Sequence, residues 1–413
     1  MRAGAGPEFC RRPRGVLRGA ALTLVFAGVL GTAAATGALP RGEQAYEPVP
    51  ASAATGDVTG REAAGRDAAS RDTVDRAALA RAAAEAMADG KSGKKAAEDF
   101  VSRSGDRWGA VYDKQEYAEF EQALGGSYTG VGLSARRAAR DRVEISRVTP
   151  GGPAERAGLR PGDRITAVDG RPVDALSVSE IVSLLRGDGV PGSTVALGVQ
   201  RGGDAWTRSL RRARLAVDPV TVRRLDDRTV LIRVTAFTKG TGDRVRQAVR
   251  SAPAHAGVLL DLRGNSGGLL AEARTAASAF LDGGLVATYD VDGRQHAVYA
   301  ERGGDTARPL VALIDGGTMS AAELLTGALK DRGRAVTVGS RTFGKGSVQM
   351  PSTLPDGSVA ELTVGHYRTP SGHAVDGQGI TPDLVAGDEG GGAAGDRAQE
   401  RARTVLSGLG GGS

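Results

Sequence analysis

Along this chain the spacing of apolar residues changes character several times, and each change marks a different kind of element. An uncharged run of 22 residues, Gly19 to Pro40, includes the apolar stretch Ala21-Leu22-Thr23-Leu24-Val25-Phe26-Ala27-Gly28-Val29-Leu30 and is long enough to cross a bilayer. Residues 41–70, rich in Ala, Gly, Ser and Pro, read as a flexible linker. An Ala-rich stretch from Asp72 to Asp89 predicts a helix. A second helical pattern from Lys94 to Leu124 carries Phe100, Val101, Trp108, Tyr112, Tyr117 and Phe120 and breaks near Ser104-Gly105-Asp106. Such helices bury their apolar face in a core or a dimer surface and receive no catalytic role.

At Gly125-Gly126 the pattern turns to short β-prone runs, Tyr128–Leu133 and Arg142–Val148. A helix at 179–186 and strands near 194–200 and 205–212 follow. Beyond Pro219 strands and helices alternate. Strands are predicted at 230–234, 257–262 and 310–314, near 285–299, at 335–338 and across 358–367, with helices at 241–251, 269–281 and 320–331. Alternation of this kind defines an α/β unit. The Gly-rich segment from Gly387 has room for one short polar helix at 395–407 and otherwise reads as a mobile tail.

Charge sharpens the leader more than the rest. The chain carries a formal +6, of which Arg2, Arg11, Arg12, Arg14 and Arg18 against Glu8 supply +4 before residue 19. The remainder is nearly balanced, so no nucleic-acid partner is expected. Basic residues ahead of an apolar run make residues 1–40 a signal peptide or an N-terminal membrane anchor. In the second case the catalytic part is extracytoplasmic on a single-pass cell-membrane protein; if Ala33-Ala34-Ala35 is a cleavage site, the protein is secreted. The single cysteine, Cys10, precedes the apolar run, which leaves no disulfide or cysteine metal site beyond it. His255, His296, His366 and His373 show no ligand spacing, so neither a metal nor another cofactor is expected.

Candidate chemistry sits in two short stretches, Asp315–Glu323 and Thr342–Gln349. Lysine is scarce: seven of 54 basic residues, and past residue 114 only Lys239, Lys330 and Lys345. Unlike arginine, lysine can give up its proton when buried. To act as a base Lys345 must fall from about 10.4 toward 7, at about 4 to 5 kcal/mol, which burial can supply. Alone it would be an exposed loop lysine. Ser320 stands where a strand gives way to a helix, and with Glu323 three residues later it is equally a helix cap. Asp261–Gly268 ends a buried strand in two glycines that let a substrate backbone approach.

Gly151–Gly170, with Pro153-Ala154, Ala157-Gly158-Leu159, Gly162-Asp163 and Ile165 in order, resembles a PDZ domain. By that resemblance it binds a peptide C-terminus by strand addition, with Gly130-Val131-Gly132-Leu133 as the carboxylate loop. Together these motifs resemble the carboxy-terminal processing peptidases, serine endopeptidases of family S41, over roughly residues 75–385. The fold implied is α/β: a Clp protease/crotonase-like peptidase core with an inserted β-rich PDZ domain and an N-terminal helical region. The domains expected are 71–125 helical, 126–216 PDZ, 217–385 peptidase core and 386–413 a flexible tail.

The resemblance implies Ser320 as nucleophile, Lys345 as general base and Gln349 as its orienting partner. It places an oxyanion hole at Ala321 with Gly267 or Gly268, and gives Arg186 a part in coupling peptide binding to the site. Substrates would be protein or peptide C-termini, and a homo-oligomer is compatible with the family. Asp315, Met319 and Ala322 depart from the family's commoner Asn, Ala and Ser, and Gly105-Asp106-Arg107-Trp108 departs from its Leu-Asp-Pro turn. Two other readings compete: a trypsin-like protease using Ser266 in Gly264-Asn265-Ser266-Gly267-Gly268, and a non-catalytic PDZ scaffold of the same fold.

Overall fold

A computed structural model describes residues 74–138, 142–291, 294–386 and 394–410. The signal or anchor (1–40) and the linker (41–70) lie outside them. Among the described residues no helix is long and apolar enough to cross a membrane.

The N-terminal region comprises helices α1 (Arg76–Ala88) and α2 (Gly93–Ser104), strand β1 (Ala110–Tyr112) and helix α3 (Lys114–Leu124). Asp75, Ser92 and Asp113 accept backbone N–H groups at the three helix starts, which fixes each boundary. Where the sequence pattern suggests one interrupted helix, the chain instead enters β1 and pairs with a later strand through Ala110↔Glu361 and Tyr112↔Val359. Leu79, Ala97 and Val101 pack on Leu354, Ala360 and Leu362, so this region is bound to the core rather than left as a free surface.

Strand β2 (Ser127–Gly130) opens the inserted domain. It contains β3 (Leu133–Arg137), β4 (Val143–Val148), α4 (Pro153–Arg156), β5 (Arg164–Val168), β6 (Arg171–Pro172), α5 (Val178–Arg186), β7 (Thr194–Arg201) and β8 (Asp204–Arg211), and it closes with β9 (Ala213–Ala216). The sheet runs β3-β4-β5-β7-β8 with β6 beside β5, and β2 pairs with β9 as a separate two-stranded stem. Chain entrance and exit are thereby tied together. Its own core includes Ile145, Ile165, Ile181, Leu185, Leu197 and Val199.

The core begins with β10 (Val220–Asp226) and β11 (Thr229–Val234), then α6 (Thr241–Ser251), β12 (Gly257–Asp261), α7 (Leu270–Ala277), β13 (Leu285–Val291), β14 (Arg294–Tyr299) and β15 (Leu310–Ile314). It continues through α8 (Ala321–Asp331), β16 (Val336–Gly339), β17 (Ser347–Thr353), β18 (Val359–Arg368), β19 (Leu384–Val385) and α9 (Ala394–Gly410). One sheet has the order β10-β11-β12-β15-β16-β19, parallel from β11 onward. A second joins β1, β18, β13 and β14, with β17 on β18. Strands β12 and β15 are buried throughout, which is why they read as unbroken apolar runs. Helices α6, α7 and α8 fill the space between one face of the parallel sheet and the second sheet.

The other face of that sheet corrects the expectation of a flexible tail. Ala398, Ala402 and Leu406 of α9 pack on Leu231, Leu259, Val311, Leu313 and Val338. Their spacing of four residues makes one apolar stripe, which the surrounding glycines and charges disguise in the sequence. Leu406 is 3% exposed, so Leu406→Ala is expected to cost about 2 kcal/mol or more of unfolding free energy, measured by urea denaturation. An unchanged midpoint would mean that α9 does not hold to the sheet in solution.

Candidate active site

Ser320 follows β15 by six residues and directly precedes α8. Its backbone has φ 51° and ψ −118°, in a region serine avoids unless its surroundings enforce it. They do. The Ser320 N–H donates to a Glu323 carboxylate oxygen at 2.9 Å, the Met319 N–H donates to the Asn265 carbonyl at 2.8 Å, and the Tyr367 hydroxyl lies 2.7 Å from the Ser320 carbonyl. Asp315, which stands in the place of the family's Asn, accepts the N–H groups of Gly264 and Gly317 and so stiffens the preceding turn.

The glycine loop lies against this turn. A Cβ on Gly267 would come within 2.9 Å of Ser320 Cβ and 3.2 Å of Ala321 N, and one on Gly268 within 2.3 Å of the Phe237 carbonyl oxygen. Only glycine fits at either place. The Gly267 N–H is occupied by Asn265 Oδ1 at 2.8 Å. Gly268 and Ala321 offer backbone N–H groups with no hydrogen-bond partner among the described residues. The first N–H groups of a helix lack internal partners and favour negative charge. Of the two glycines expected from the sequence, the geometry therefore favours Gly268 with Ala321 as donors.

Lys345 is 2% exposed. Burial lowers its ammonium from the ordinary 10.5 to about 8, although Asp106, Glu361, Asp376 and Glu323 all pull upward. Nζ lies 5.2 Å from the centroid of the Trp108 ring and makes no hydrogen bond or ion pair among the described residues. The backbone of Lys345 is tied to the serine turn through Glu323, and its Nζ makes no hydrogen bond to Ser320. Gln349 is fully buried; its Nε2 donates to the Trp108 carbonyl and its Oε1 has no partner. The expected Lys345–Gln349 hydrogen bond is absent in this arrangement.

Glu323 was legible in the sequence only as a cap, but it is the hub of the site. Besides Ser320 it accepts the Thr342 hydroxyl, the Gly344 N–H at 2.7 Å and the Lys345 N–H at 2.8 Å. Burial pushes its carboxyl up against the four hydrogen bonds that favour its charge. Tyr367 adds a second tie, its hydroxyl lying 2.9 Å from the Lys345 carbonyl. Asn265, Glu323, Tyr367 and Trp108 are the residues that sequence reasoning missed. Of these, only Glu323, three residues after the serine, had a sequence signal.

In the inserted domain, Gly132 turns with φ 77° between β2 and β3, Thr149 donates to its carbonyl, and Ala154 donates to that of Val131. Val131 is buried and Leu133 begins β3, an edge strand that pairs with β4 alone and lies beside α5. Gly130, Val131, Gly132 and Leu133 therefore lead into a strand with one free edge beside α5. Arg186 ends α5 and its side chain makes no hydrogen bond or ion pair among the described residues; it is not brought to Ser320. Ser266 has no histidine partner either. His255 precedes β12 and bonds the Asp227 carbonyl, whereas Ser266 follows the far end of that strand.

An α/β core with a strained serine at a helix start, a buried lysine whose loop is tied to the same carboxylate and an inserted β-rich domain with an open strand edge fits a serine-hydrolase class of site. Residues 228–386 match the model of peptidase family S41, and residues 144–201 match that of a PDZ domain. The chain is 32% identical over 286 residues to the carboxy-terminal processing protease CtpA of Bacillus subtilis, covering 68% of this chain and 61% of that protein. It is also 32% identical over 311 residues to a probable CtpA-like serine protease of Staphylococcus aureus, covering 71% and 60%. A solved structure of the photosystem II D1 C-terminal processing protease is 29% identical, with a TM-score of 0.48 over 78% of this chain and 86% of that one. This chain belongs to peptidase family S41. The match spans about 60% of the length of these curated relatives.

Lys345 should weigh on stability. Between pH 8 and 10.5 the folded state binds fewer protons at this lysine than the unfolded chain, so stability rises with pH across that window, and the cost is fully present below 8. Lys345→Met is expected to raise the unfolding free energy at pH 7 by about 1–3 kcal/mol, read by urea denaturation. The gain should fade above pH 10.5, and a destabilised variant at pH 7 would contradict the burial argument.

Proposed function

We propose that this protein is a serine endopeptidase that recognises protein C-termini through its PDZ domain and cleaves near them, using Ser320 as nucleophile and Lys345 as general base. The observation that carries this reading is the Glu323 carboxylate, which ties the strained serine turn and the buried lysine loop to one point while the N–H groups of Gly268 and Ala321 stay open. Ser320 attacks a peptide carbonyl, and its proton passes to neutral Lys345. The oxyanion is met by the two N–H groups, and the lysine returns the proton to the leaving amine; water then releases the acyl group. Gln349, with its Oε1 unpartnered, is the acceptor available to hold Lys345 once it turns toward the serine. The basic, apolar leader supports action outside the cytoplasm, on the membrane or released from it.

Peptides with a free C-terminal carboxylate should be cut, and C-terminally amidated ones cut poorly. Ser320→Ala, Lys345→Ala and Lys345→Arg should each abolish cleavage while circular dichroism stays native. Arginine fails because it cannot become neutral. For the wild type, kcat/KM should climb with pH through a midpoint near 8, as the lysine loses its proton. Cleavage surviving in Lys345→Arg, or lost in Ser266→Ala and retained in Ser320→Ala, would overturn the assignment. An intact fold that binds C-terminal peptides but never cuts them would favour the scaffold reading.

A further inference from the structure

We propose that Trp108 is a positioning residue for Lys345, the lid that keeps the lysine dry and holds its Gln349 partner in place. The inference rests on Lys345 being the base. Trp108 lies 237 positions before the lysine in sequence, in the turn between α2 and β1, and neither catalytic stretch hints at it.

The turn is fastened to the site at three points. Asp106, itself buried, accepts the Thr363 N–H and the Thr363 hydroxyl at 2.8 Å each. The Trp108 carbonyl accepts Gln349 Nε2. Asp376 takes Arg107 Nη2 at 2.7 Å and Trp108 Nε1 at 3.3 Å, and the same carboxylate accepts the Gly346 N–H at 3.1 Å, next to the lysine. Phe343 stands against the indole with ring centroids 5.7 Å apart, and the Arg107 guanidinium lies 4.9 Å from the ring centre. The indole is half-buried and Lys345 beneath it is 2% exposed, so the ring is part of what separates the ammonium from water.

Two effects of the ring oppose each other. Its face attracts the charged lysine, and its bulk excludes the water that would solvate that charge. Four carboxylates around the lysine also favour the ammonium, Asp106 from the turn, Glu361 from β18, Asp376 from the loop after β18 and Glu323 from α8, while the Arg107 guanidinium shares the indole with it. His366, the neighbouring titratable group on β18, lies 3.8 Å from Asp376. The lysine is nevertheless held below its ordinary value, so exclusion of water outweighs all of these attractions. Removing the indole surrenders the exclusion while the four carboxylates stay, and the lysine returns toward its solution behaviour.

The test is the pH dependence of kcat/KM for the full chain on an internally quenched peptide with a free C-terminal carboxylate. Trp108→Ala should move the midpoint upward by about one pH unit or more, seen as roughly tenfold lower kcat/KM at pH 7.5 that recovers near pH 10. Trp108→Phe, which keeps an aromatic roof, should stay near the wild-type midpoint, and Trp108→Leu should fall between. If the alanine variant does not fold, the order phenylalanine below leucine carries the test. A wild-type midpoint in every folded variant, or a loss equal at all pH values, overturns the inference. The parent reading fails separately, when Lys345→Ala itself still cleaves.

Discussion

One buried carboxylate holds the site together. Glu323 accepts N–H groups from Ser320 at the start of its own helix and from Gly344 and Lys345 in a loop 21 and 22 residues further on, together with the Thr342 hydroxyl. A carboxylate with no exposure is expensive unless its lone pairs are filled, and here four donors fill them. The same four bonds fix where the lysine loop begins relative to the serine. The Tyr367 hydroxyl repeats the tie from the second sheet, lying between the carbonyls of Ser320 and Lys345. Serine and lysine are therefore registered through backbone atoms, with no hydrogen bond between their side chains.

That registration is strong enough to carry strain. Ser320 has a positive φ, Lys345 is buried without a counter-ion in contact, Gln349 Oε1 and Ser347 Oγ have no partner, and the Glu361 carboxyl is fully buried. Burial accordingly raises the Glu361 carboxyl to about 7. Each such feature costs on the order of 1–3 kcal/mol, and they gather on β17 and the loop before it, on β18 and on the turn before α8. The stability that offsets them lies elsewhere: in fully buried β12 and β15, in α6 to α8 on one face of the parallel sheet and in α9 on the other.

Much of this was legible from sequence, for identifiable reasons. Strands β11, β12 and β15 and helices α6 and α8 announce themselves because their burial is uniform or strictly periodic. Ser320 and Lys345 were legible because glycines flank them and because lysine is scarce. Trp108, Asn265 and Tyr367 were not, since each reaches the site across a distance in sequence that no local pattern records. Strand β1 was missed because three residues are too few to show a period; it exists through its pairing with β18. Helix α9 was underrated because its stripe is narrow and set among glycine and charge. Glu323 was visible but misjudged: the spacing that makes a helix cap is the same spacing that lets a carboxylate reach past the cap to a second loop.

The orphaned groups also bear on what the resting site can become. Lys345 Nζ is a donor without an acceptor and Gln349 Oε1 an acceptor without a donor, and both residues meet the Trp108 turn, one through its ring and the other through its carbonyl. A buried donor and acceptor left unpaired gain from any motion that joins them, while the cation–π contact and the Gln349–Trp108 bond resist it. The inserted domain has a short route to the same site. Its stem leaves α3 where the Lys239 N–H donates to the Leu124 carbonyl, and two residues earlier Phe237 exchanges backbone hydrogen bonds with Gly267 and Leu269. Stem and glycine loop therefore meet on one backbone segment, 237–239, which packs the inserted domain's exit against the loop that carries Gly267 and Gly268.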